Sequence, residues 1–449
     1  MTVLLYLLGV VAFVVAILAS IGLHELGHMI PAKGFGGKVT QYFIGFGPTV
    51  WSRKKGETEY GVKAIPLGGY VKIVGMLPPD QEHAGKVEYD EHGNRVVTVR
   101  KSNTGLFAQL ISDARAAEWE TITAADEDRL FYRMAWWKKV VVMAGGPTVN
   151  LLIAFVIFGG LFATYGNPAD EVLHTTVSKV EACVVPAAED GRVCTTRDPV
   201  SPAAQAGLRV GDRFVSFNGT PVRGWTDMQD LIRSNRNGAA TIVVERDGRQ
   251  VTLHTNTMVT PRPTDESDPS KLTPVGFLGV SPTVTYTTGG PIYTIEQMGG
   301  LAKQSAQALA TLPVKVWGVA EAIAGVKPRA ADSPVSVVGG GRLAGETASA
   351  QDFPLKEKLV SLLGLVAGFN FFIGLFNFVP LLPLDGGHIA GALWEAVRRG
   401  IARLRRRPDP GYVDVARLLP VAYVVASFLL VMGVVLIVGD LVVPLHIPS

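Results

Sequence analysis

Two histidines and a glutamate lie in the stretch HELGH, at the end of an apolar run that begins at Val3. His24 and His28 are four residues apart, so on a helix their rings point to the same face, with Glu25 beside the first. In this spacing two imidazoles bind Zn²⁺ and the glutamate serves as a general base. Ionisable groups in a membrane-spanning segment are costly unless paired or metallated, which favours a functional site over a structural trio.

A catalytic zinc site needs a third protein ligand, and the stretch FNFVPLLPLDGGH offers one. Asp385 is an acid among apolar residues, and the two glycines after it let backbone approach closely. Pro380 and Pro383 would interrupt a helix there and free backbone groups. The alternative is that Asp385 caps a helix beginning near Gly387, because aspartate is a favoured N-cap residue.

The composition predicts a membrane protein with soluble parts. Of the 449 residues, 48% are hydrophobic, which exceeds the usual share in soluble proteins. The net charge of +3 is too small to indicate a nucleic-acid partner, and we predict none. Four segments reach the roughly 20 apolar residues that cross a bilayer. They are about 3–28, 139–163, 359–381 and 418–442.

Basic residues beside these segments predict the orientation of the chain. They follow the first span, precede the second and separate the third from the fourth: Lys33, Lys38, Arg53, Lys54, Lys55, Arg133, Lys138, Lys139, Arg398, Arg399, Arg403, Arg405, Arg406 and Arg407. Short cytoplasmic loops carry this excess, so the amino terminus and residues 165–358 are expected outside. Spans one and three then both run inward, and HELGH and LDGG reach the same side of the membrane. This match favours Asp385 as a zinc ligand over a helix cap.

Two regions between the spans predict folded structure. Residues 41–75 are rich in aromatic and β-branched residues punctuated by glycine, which predicts short strands with turns. Residues 172–284 predict a helix from Ala203, a strand, a turn at Asn218 and Gly219, a second helix and two further strands. That order of elements resembles a PDZ domain.

The remaining segments are interpreted from composition and periodicity. Residues 78–128 predict a polar, partly disordered cytoplasmic insertion, and Asp126–Lys139 a basic, aromatic helix at the inner membrane interface. Residues 292–325 predict an amphipathic helix against the outer leaflet. Residues 333–345 predict a loop.

The predicted fold class is a polytopic α-helical membrane protein with four transmembrane helices, a membrane-associated β-loop on the cytoplasmic side and an extracytoplasmic α+β PDZ domain. In chain order the predicted parts are a first span with HExxH (1–30), the β-loop (31–77), the insertion with its interfacial helix (78–138), a second span (139–165), the PDZ domain (172–284), a helix and loop (285–358), a third span with LDGG (359–388), a basic cytoplasmic loop (389–417) and a fourth span (418–442).

Cys183 and Cys194 are the only cysteines in the chain. Two cysteines exclude a disulfide-dense scaffold and any zinc site with four cysteine ligands. Both fall in the region expected outside, where an oxidising compartment permits a disulfide bond. Two reduced thiols are the alternative.

Several motifs together resemble the site-2 protease family, in the form of the bacterial regulator-of-sigma-E proteases but with one PDZ domain instead of two. The motifs are HELGH, GFGP at 45–48, IPLGGYVKIVG at 65–75, AGGPTVN at 144–150 and NFVPLLPLDGGH at 377–388. The resemblance covers nearly the whole chain outside residues 78–128, and the pairing of HExxH with LDGG is highly specific.

This resemblance implies regulated intramembrane proteolysis by a zinc metalloprotease of the bacterial inner membrane. The site residues that it implies are the zinc ligands His24, His28 and Asp385, the general base Glu25, and Asn377, Pro380 and Pro383 as substrate-binding residues. The implied substrates are single-span membrane proteins such as anti-sigma factors, and signal-peptide remnants. The β-loop would steer an unwound substrate. The PDZ domain would bind a peptide terminus or a protein, or would only filter substrates by size.

Other functions remain alternatives. A membrane zinc protease for quality control of damaged membrane proteins would pair HExxH with a downstream glutamate, for which Glu395 is the nearest candidate. A non-enzymatic PDZ membrane scaffold would have no need of an intramembrane metal site. A metal transporter would need polar positions through the membrane depth, and spans two and four are almost wholly apolar.

Overall fold

The computed structural model of the chain describes residues 2–78, 88–89, 95–96, 111, 113–115, 118–119, 122–186, 193–263, 272–351 and 353–445. Most of the predicted insertion at 78–128 therefore lies outside the described residues. The chain divides into two compact units. The first comprises residues 1–160 and 291–448, and the second comprises residues 161–290.

Long apolar helices dominate the first unit. Besides the helical residues 111, 113–115, 118 and 119, the α-helices of the described residues are α1 (Thr2–Gly34), α2 (Trp136–Thr164), α3 (Pro202–Ala206), α4 (Trp225–Asn235), α5 (Pro291–Ile323), α6 (Val337–Ser349), α7 (Leu355–Asn377), α8 (Asp385–Leu404) and α9 (Leu419–Val442). Four of them, α1, α2, α7 and α9, are long and apolar enough to cross a membrane. The four predicted spans are confirmed in number, and the third begins and ends earlier than predicted.

The strands predicted for residues 41–75 are present, and they form a β-loop that follows α1. Strands β1 (Val39–Lys55) and β2 (Thr58–Ile73) pair antiparallel, and each folds back on itself. Phe43 consequently pairs with Gly61 on one side and with Tyr70 on the other. The outer part of β2, from 69 to 73, pairs with no further strand among the described residues. The Tyr42 hydroxyl donates to the carbonyl of Gly22, 2.8 Å away, and so fastens the β-loop to α1.

Helix α6 contradicts the loop predicted for residues 333–345. Glycines occupy much of its buried face, and Gly340 and Gly345 lie against the rings of Phe13 and Tyr6 on α1. Small residues allow two helices to approach closely in a membrane protein. The prediction was wrong because burial against α1 outweighs the poor helix propensity of glycine.

The segment before α2 differs from the single interfacial helix predicted for Asp126–Lys139. It consists of two 3-10 turns, Ala124–Arg129 and Phe131–Arg133, and α2 begins only at Trp136. Leu130, between the turns, has extended backbone and is 1% exposed. Burial of this segment in the first unit therefore sets its conformation, which helical periodicity in the sequence could not reveal.

The basic segment 389–417, predicted as a loop, is helical as far as Leu404. It forms most of α8, which buries Ala392 and Glu395 on one face and exposes Trp394 on another. This amphipathic pattern was not recognised in the sequence, because the segment contains many arginines, which are typical of a basic loop. A 3-10 turn, Val415–Leu418, then leads into α9.

The second unit contains most of the strands. Beyond β1 and β2, the strands of the described residues are β3 (Glu88–Tyr89), β4 (Arg95–Val96), β5 (Asn167–Val180), β6 (Arg213–Phe217), β7 (Thr220–Pro221), β8 (Ala239–Arg246), β9 (Arg249–Asn256), β10 (Met258–Pro263), β11 (Leu272–Phe277) and β12 (Val280–Thr287). Strands β12, β5, β6, β8 and β9 lie in this order in one sheet, β7 pairs with β6, and β10 pairs with β11. The helices and strands predicted between Ala203 and Arg249 are present in the predicted order.

Alternation along the strands builds the core of the second unit. Ala240, Ile242 and Val244 on β8 are buried, and the residues between them are half-buried. Met228 and Ile232 on α4 are four residues apart and cover the same core. A disulfide bond joins Cys183 and Cys194, whose Cα atoms are 5.9 Å apart.

A bidentate ion pair lies at the edge of this core. Because of this pair, we expect the stability of the second unit to fall at low pH. Arg246 donates to both carboxylate oxygens of Asp212 at 2.7 Å, and the backbone N–H of Arg209 donates to one of them. Burial raises the pKa of Asp212, but these donors lower it by more, so the pKa lies below its ordinary value. The stabilisation is therefore present above about pH 4, the ordinary pKa, and is lost as the pH falls towards the folded-state pKa.

Asp212→Asn is expected to destabilise the second unit by about 1.5–3 kcal/mol at pH 7, the usual worth of a hydrogen bond to a charged group. Hydrogen exchange of β6 and β8 in the full chain, measured by mass spectrometry, should show correspondingly faster exchange. The control is Asp247→Asn, the same change at a turn residue with a left-handed backbone that asparagine tolerates. Equal protection in the Asp212 variant and the wild type would contradict a stabilising pair.

Candidate metal centre

The histidines of HELGH lie on one face at the carboxyl-terminal part of α1. Their Nε2 atoms are 3.2 Å apart, and the side chains of His24 and His28 are 12% and 7% exposed. The helical spacing alone places both rings side by side, as the sequence predicted. An interior position follows only from the elements that pack around α1.

Asp385, the first residue of α8, lies beside the two histidines. Its Oδ2 atom lies 3.4 Å from Nε2 of His24 and 3.3 Å from Nε2 of His28. The N-cap position of α8 belongs to Leu384, and no side chain caps this helix end. The carboxylate of Asp385 therefore faces the histidines and does not serve as the helix cap that the sequence left as an alternative.

The hydrogen bonds of His28 define which ring nitrogen can bind a metal. Its Nδ1 lies 2.8 Å from the carbonyl oxygen of Val142 on α2. A carbonyl only accepts, so Nδ1 carries the proton, and the neutral ring presents a lone pair at Nε2. Backbone carbonyls fix the orientation of metal-binding histidines in this way.

Two glycines bring α2 against the histidines. A Cβ atom at Gly146 would lie 2.8 Å from Nε2 of His24 and closer still to Nε2 of His28. A Cβ atom at Gly145 would collide with the carbonyl of Gly27 on α1. Both glycines therefore serve close packing of α2 against α1. Asn150, in the next turn of α2, is buried, and no described group donates to its Oδ1.

The three side chains fit Zn²⁺. One donor atom from each of His24, His28 and Asp385 lies within 4.8 Å of the others. Two imidazole nitrogens and a carboxylate oxygen are ligands that a catalytic zinc site uses, with a further position open for substrate.

Glu25 lies next to this cluster and next to the β-loop. It is 9% exposed and interacts electrostatically with His24, His28 and Asp385. A Cβ atom at Gly69, in the outer part of β2, would lie 3.0 Å from Cγ of Glu25. The free edge of β2 therefore runs beside the carboxylate that the sequence predicts as the general base.

The predicted substrate-binding residues lie between α7 and α8. Asn377 is the last residue of α7 and is half-buried, and Pro380 and Pro383 are exposed. The interruption predicted from the two prolines is present, since no helix covers the residues between Asn377 and Asp385. Gly386 packs against the carbonyls of Phe378 and Val379, so close backbone packing explains the glycines of LDGG.

Sequence reasoning missed a buried ion pair near the site. The Lys139 ammonium on α2 donates to Oε2 of Glu395 on α8 at 2.7 Å, and both side chains are almost fully buried. Glu395, the alternative third ligand, is thus held by Lys139 and lies outside the group of potential ligands. The helical pattern of α8, with Glu395 on its buried face, was the available signal.

Comparison with known proteins agrees with this geometry. Residues 12–413 match peptidase family M50. The chain is 34% identical over 452 residues to the zinc metalloprotease Rip1 of Mycobacterium tuberculosis, covering 99% of both chains. It is 26% identical to the zinc metalloprotease RasP of Bacillus licheniformis and 24% identical to the regulator of sigma-W protease RasP of Bacillus subtilis, in each case over 87% of this chain and 90% of the relative.

Proposed function

Because the chain belongs to peptidase family M50, the site-2 protease family, and is a zinc metalloprotease, we propose that it cleaves peptide bonds in or near the transmembrane segments of single-span membrane proteins. The observation that carries this proposal is the position of the metal-binding group. His24 and His28 belong to an apolar helix long enough to span a membrane, and Asp385 follows a second such helix closely. A peptide bond reaching this group must enter among membrane-spanning helices.

His24, His28 and Asp385 would hold the metal, and Glu25 would act as the general base. When bound, Zn²⁺ supplies Lewis-acid chemistry, which makes water nucleophilic near neutral pH and polarises a carbonyl. Glu25 accepts the proton of the attacking water and returns it to the leaving amine. Its buried place between the histidines and the edge of β2 supports this role.

The β-loop would hold an unwound substrate beside Glu25. A helical segment already has its carbonyls hydrogen-bonded, so it must unwind before attack. Residues 69–73 have no strand on their outer side among the described residues, and an extended peptide can add to such an edge. Asn377, Pro380 and Pro383, which follow one another at the end of α7, would bind substrate backbone near the metal.

The second unit would be an extracytoplasmic PDZ domain. Among the described residues its sheet ends on β12, which pairs only with β5, and an edge strand of this kind can bind an extended peptide. The metal centre would lie near the cytoplasmic side of a bacterial inner membrane, as the basic residues beside the spans predict. Anti-sigma factors and signal-peptide remnants are the proposed substrates, in keeping with the regulator of sigma-W protease among the relatives.

Reconstituted protein with a panel of single-span substrates tests the proposal. The zinc-loaded chain in liposomes is expected to cut within or next to the transmembrane segment, and mass spectrometry of the products locates the cut. The panel should include single-span proteins with intact and with unfolded soluble domains. Cuts confined to soluble loops, or to the unfolded proteins, would favour the quality-control alternative and contradict intramembrane cleavage.

A further inference from the structure

Lys139 and Glu395 form one of the most buried ion pairs among the described residues, and it joins two of the elements that build the metal centre. The Glu395 side chain is 2% exposed and the Lys139 side chain 7%. Arg399, one turn further along α8, lies 3.1 Å from the other oxygen of Glu395. The ring of Tyr412 faces both cations, at 5.1 Å from Lys139 Nζ and 5.4 Å from Arg399 Cζ.

Lys139 shares its helix with the residues that contact the zinc-binding histidines. Val142, whose carbonyl accepts from Nδ1 of His28, follows it by three residues and so lies on the same side of α2. Gly146, one further turn along, packs against both histidine rings. The first turns of α2 therefore contact the two ligands on α1 and, through Lys139, the helix that carries the third.

Glu395 and Asp385 lie on the same helix, α8, and Glu395 attaches this helix to α2 through its ion pair with Lys139. The two acids are separated by about 15 Å of continuous helix at 1.5 Å per residue. Slippage of α8 by one residue would move Asp385 by about 1.5 Å and rotate it by about 100°. A metal site tolerates only about 0.5 Å of displacement, so the register of α8 against α2 must be fixed. Where apolar packing leaves neighbouring registers close in free energy, a buried ion pair can select one of them.

We propose that Lys139 and Glu395 are positioning residues of the metal centre, which hold Asp385 in register with His24 and His28. They touch neither the metal nor the substrate, and they act through α2 and α8. The inference rests on the proposed metal centre, and the two can fail separately. If wild-type protein binds no zinc, the centre itself is absent; if it binds zinc and the pair has no effect on binding, only the positioning role is wrong.

The test measures metal binding by full-length protein in detergent. Glu395→Gln and Lys139→Met are each expected to weaken zinc binding by up to roughly 10–100-fold, the effect of losing a group that hydrogen-bonds a metal ligand directly. Because ligand geometry determines the visible spectrum of bound Co²⁺, the spectrum of both variants should change. The double variant Lys139→Met with Glu395→Leu removes both buried charges and is therefore expected to fold, but it should bind zinc as weakly as the single variants, because the ion pair is absent. In liposomes, kcat should fall more than KM rises.

Asp440→Asn is the matched control. Asp440 pairs with Arg329 at 2.8 Å, and these side chains are 2% and 3% exposed, but the pair includes no residue of α1, α2 or α8. The control should lower the unfolding temperature without changing zinc affinity or the Co²⁺ spectrum. An unchanged affinity and spectrum in folded Glu395→Gln protein would overturn the proposal, as would equal changes in the control. If the single variants do not fold, the double variant Lys139→Met with Glu395→Leu decides, because wild-type affinity and spectrum in this folded protein also overturn the proposal.

Discussion

Glu25→Gln protein is expected to bind zinc as the wild type does and to lose cleavage almost completely. Glutamine has nearly the same shape as glutamate but cannot accept the proton of the attacking water. General acid–base catalysis typically contributes 10²–10⁴-fold, so the rate in liposomes should fall by roughly that factor or more. Zinc content per chain and the rate of product formation are the two measurements.

A matched control separates this effect from general disturbance. Glu57→Gln makes the same chemical change at a partly exposed glutamate between β1 and β2, where the side chain pairs with Arg129. This variant should keep both zinc and activity. Retained cleavage by Glu25→Gln protein would exclude Glu25 as the general base, and loss of zinc from it would assign Glu25 a structural part in the centre.

Asp385→Ala is expected to remove the third ligand and with it most of the zinc affinity. Since loss of an outer partner already costs roughly 10–100-fold, loss of a direct ligand should cost at least as much. Zinc should also cease to raise the unfolding temperature, because a ligand stabilises a protein only in proportion to its binding. Metal analysis after dialysis and thermal unfolding with and without added zinc measure these effects.

Asp332→Ala, which changes an exposed aspartate on another segment, should bind zinc normally. Glu395→Ala supplies the comparison between candidate ligands. If Asp385→Ala kept its zinc while Glu395→Ala lost it, the third ligand would be Glu395 and the quality-control type of site would be favoured. If both variants bind weakly, the Co²⁺ spectrum distinguishes a missing ligand from a displaced one.

The spacing of HELGH specifies much of the site locally. Two histidines four residues apart share a helix face wherever the helix lies, so no distant contact is needed to place their rings together. Apolar length predicted the four spans in the same way, because bilayer thickness sets the length of a membrane helix. Asp385 could be predicted as their partner because the order of spans brings both motifs to one side.

Two helices were not predicted from the sequence, because one is rich in glycine and the other ends in a run of arginines. Residues 337–349 contain glycines that favour a loop in isolation, yet they form α6, because α1 offers a surface that only small residues can approach. The arginines between 398 and 407 suggested a loop where α8 continues to Leu404. In both cases the deciding contacts are with residues distant in the chain.

Spacing and apolar length were enough to predict the chemistry of the site, with two imidazoles and a glutamate on one helix, four spans, and a carboxylate predicted on the same side of the membrane. Which carboxylate faces the histidines became clear only from the packing of the helices. Asp385 lies beside their Nε2 atoms, whereas Glu395, 256 residues from Lys139 along the chain, is held by that lysine. Pairing of this kind depends on how helices pack in three dimensions, and it leaves no periodic pattern in the sequence.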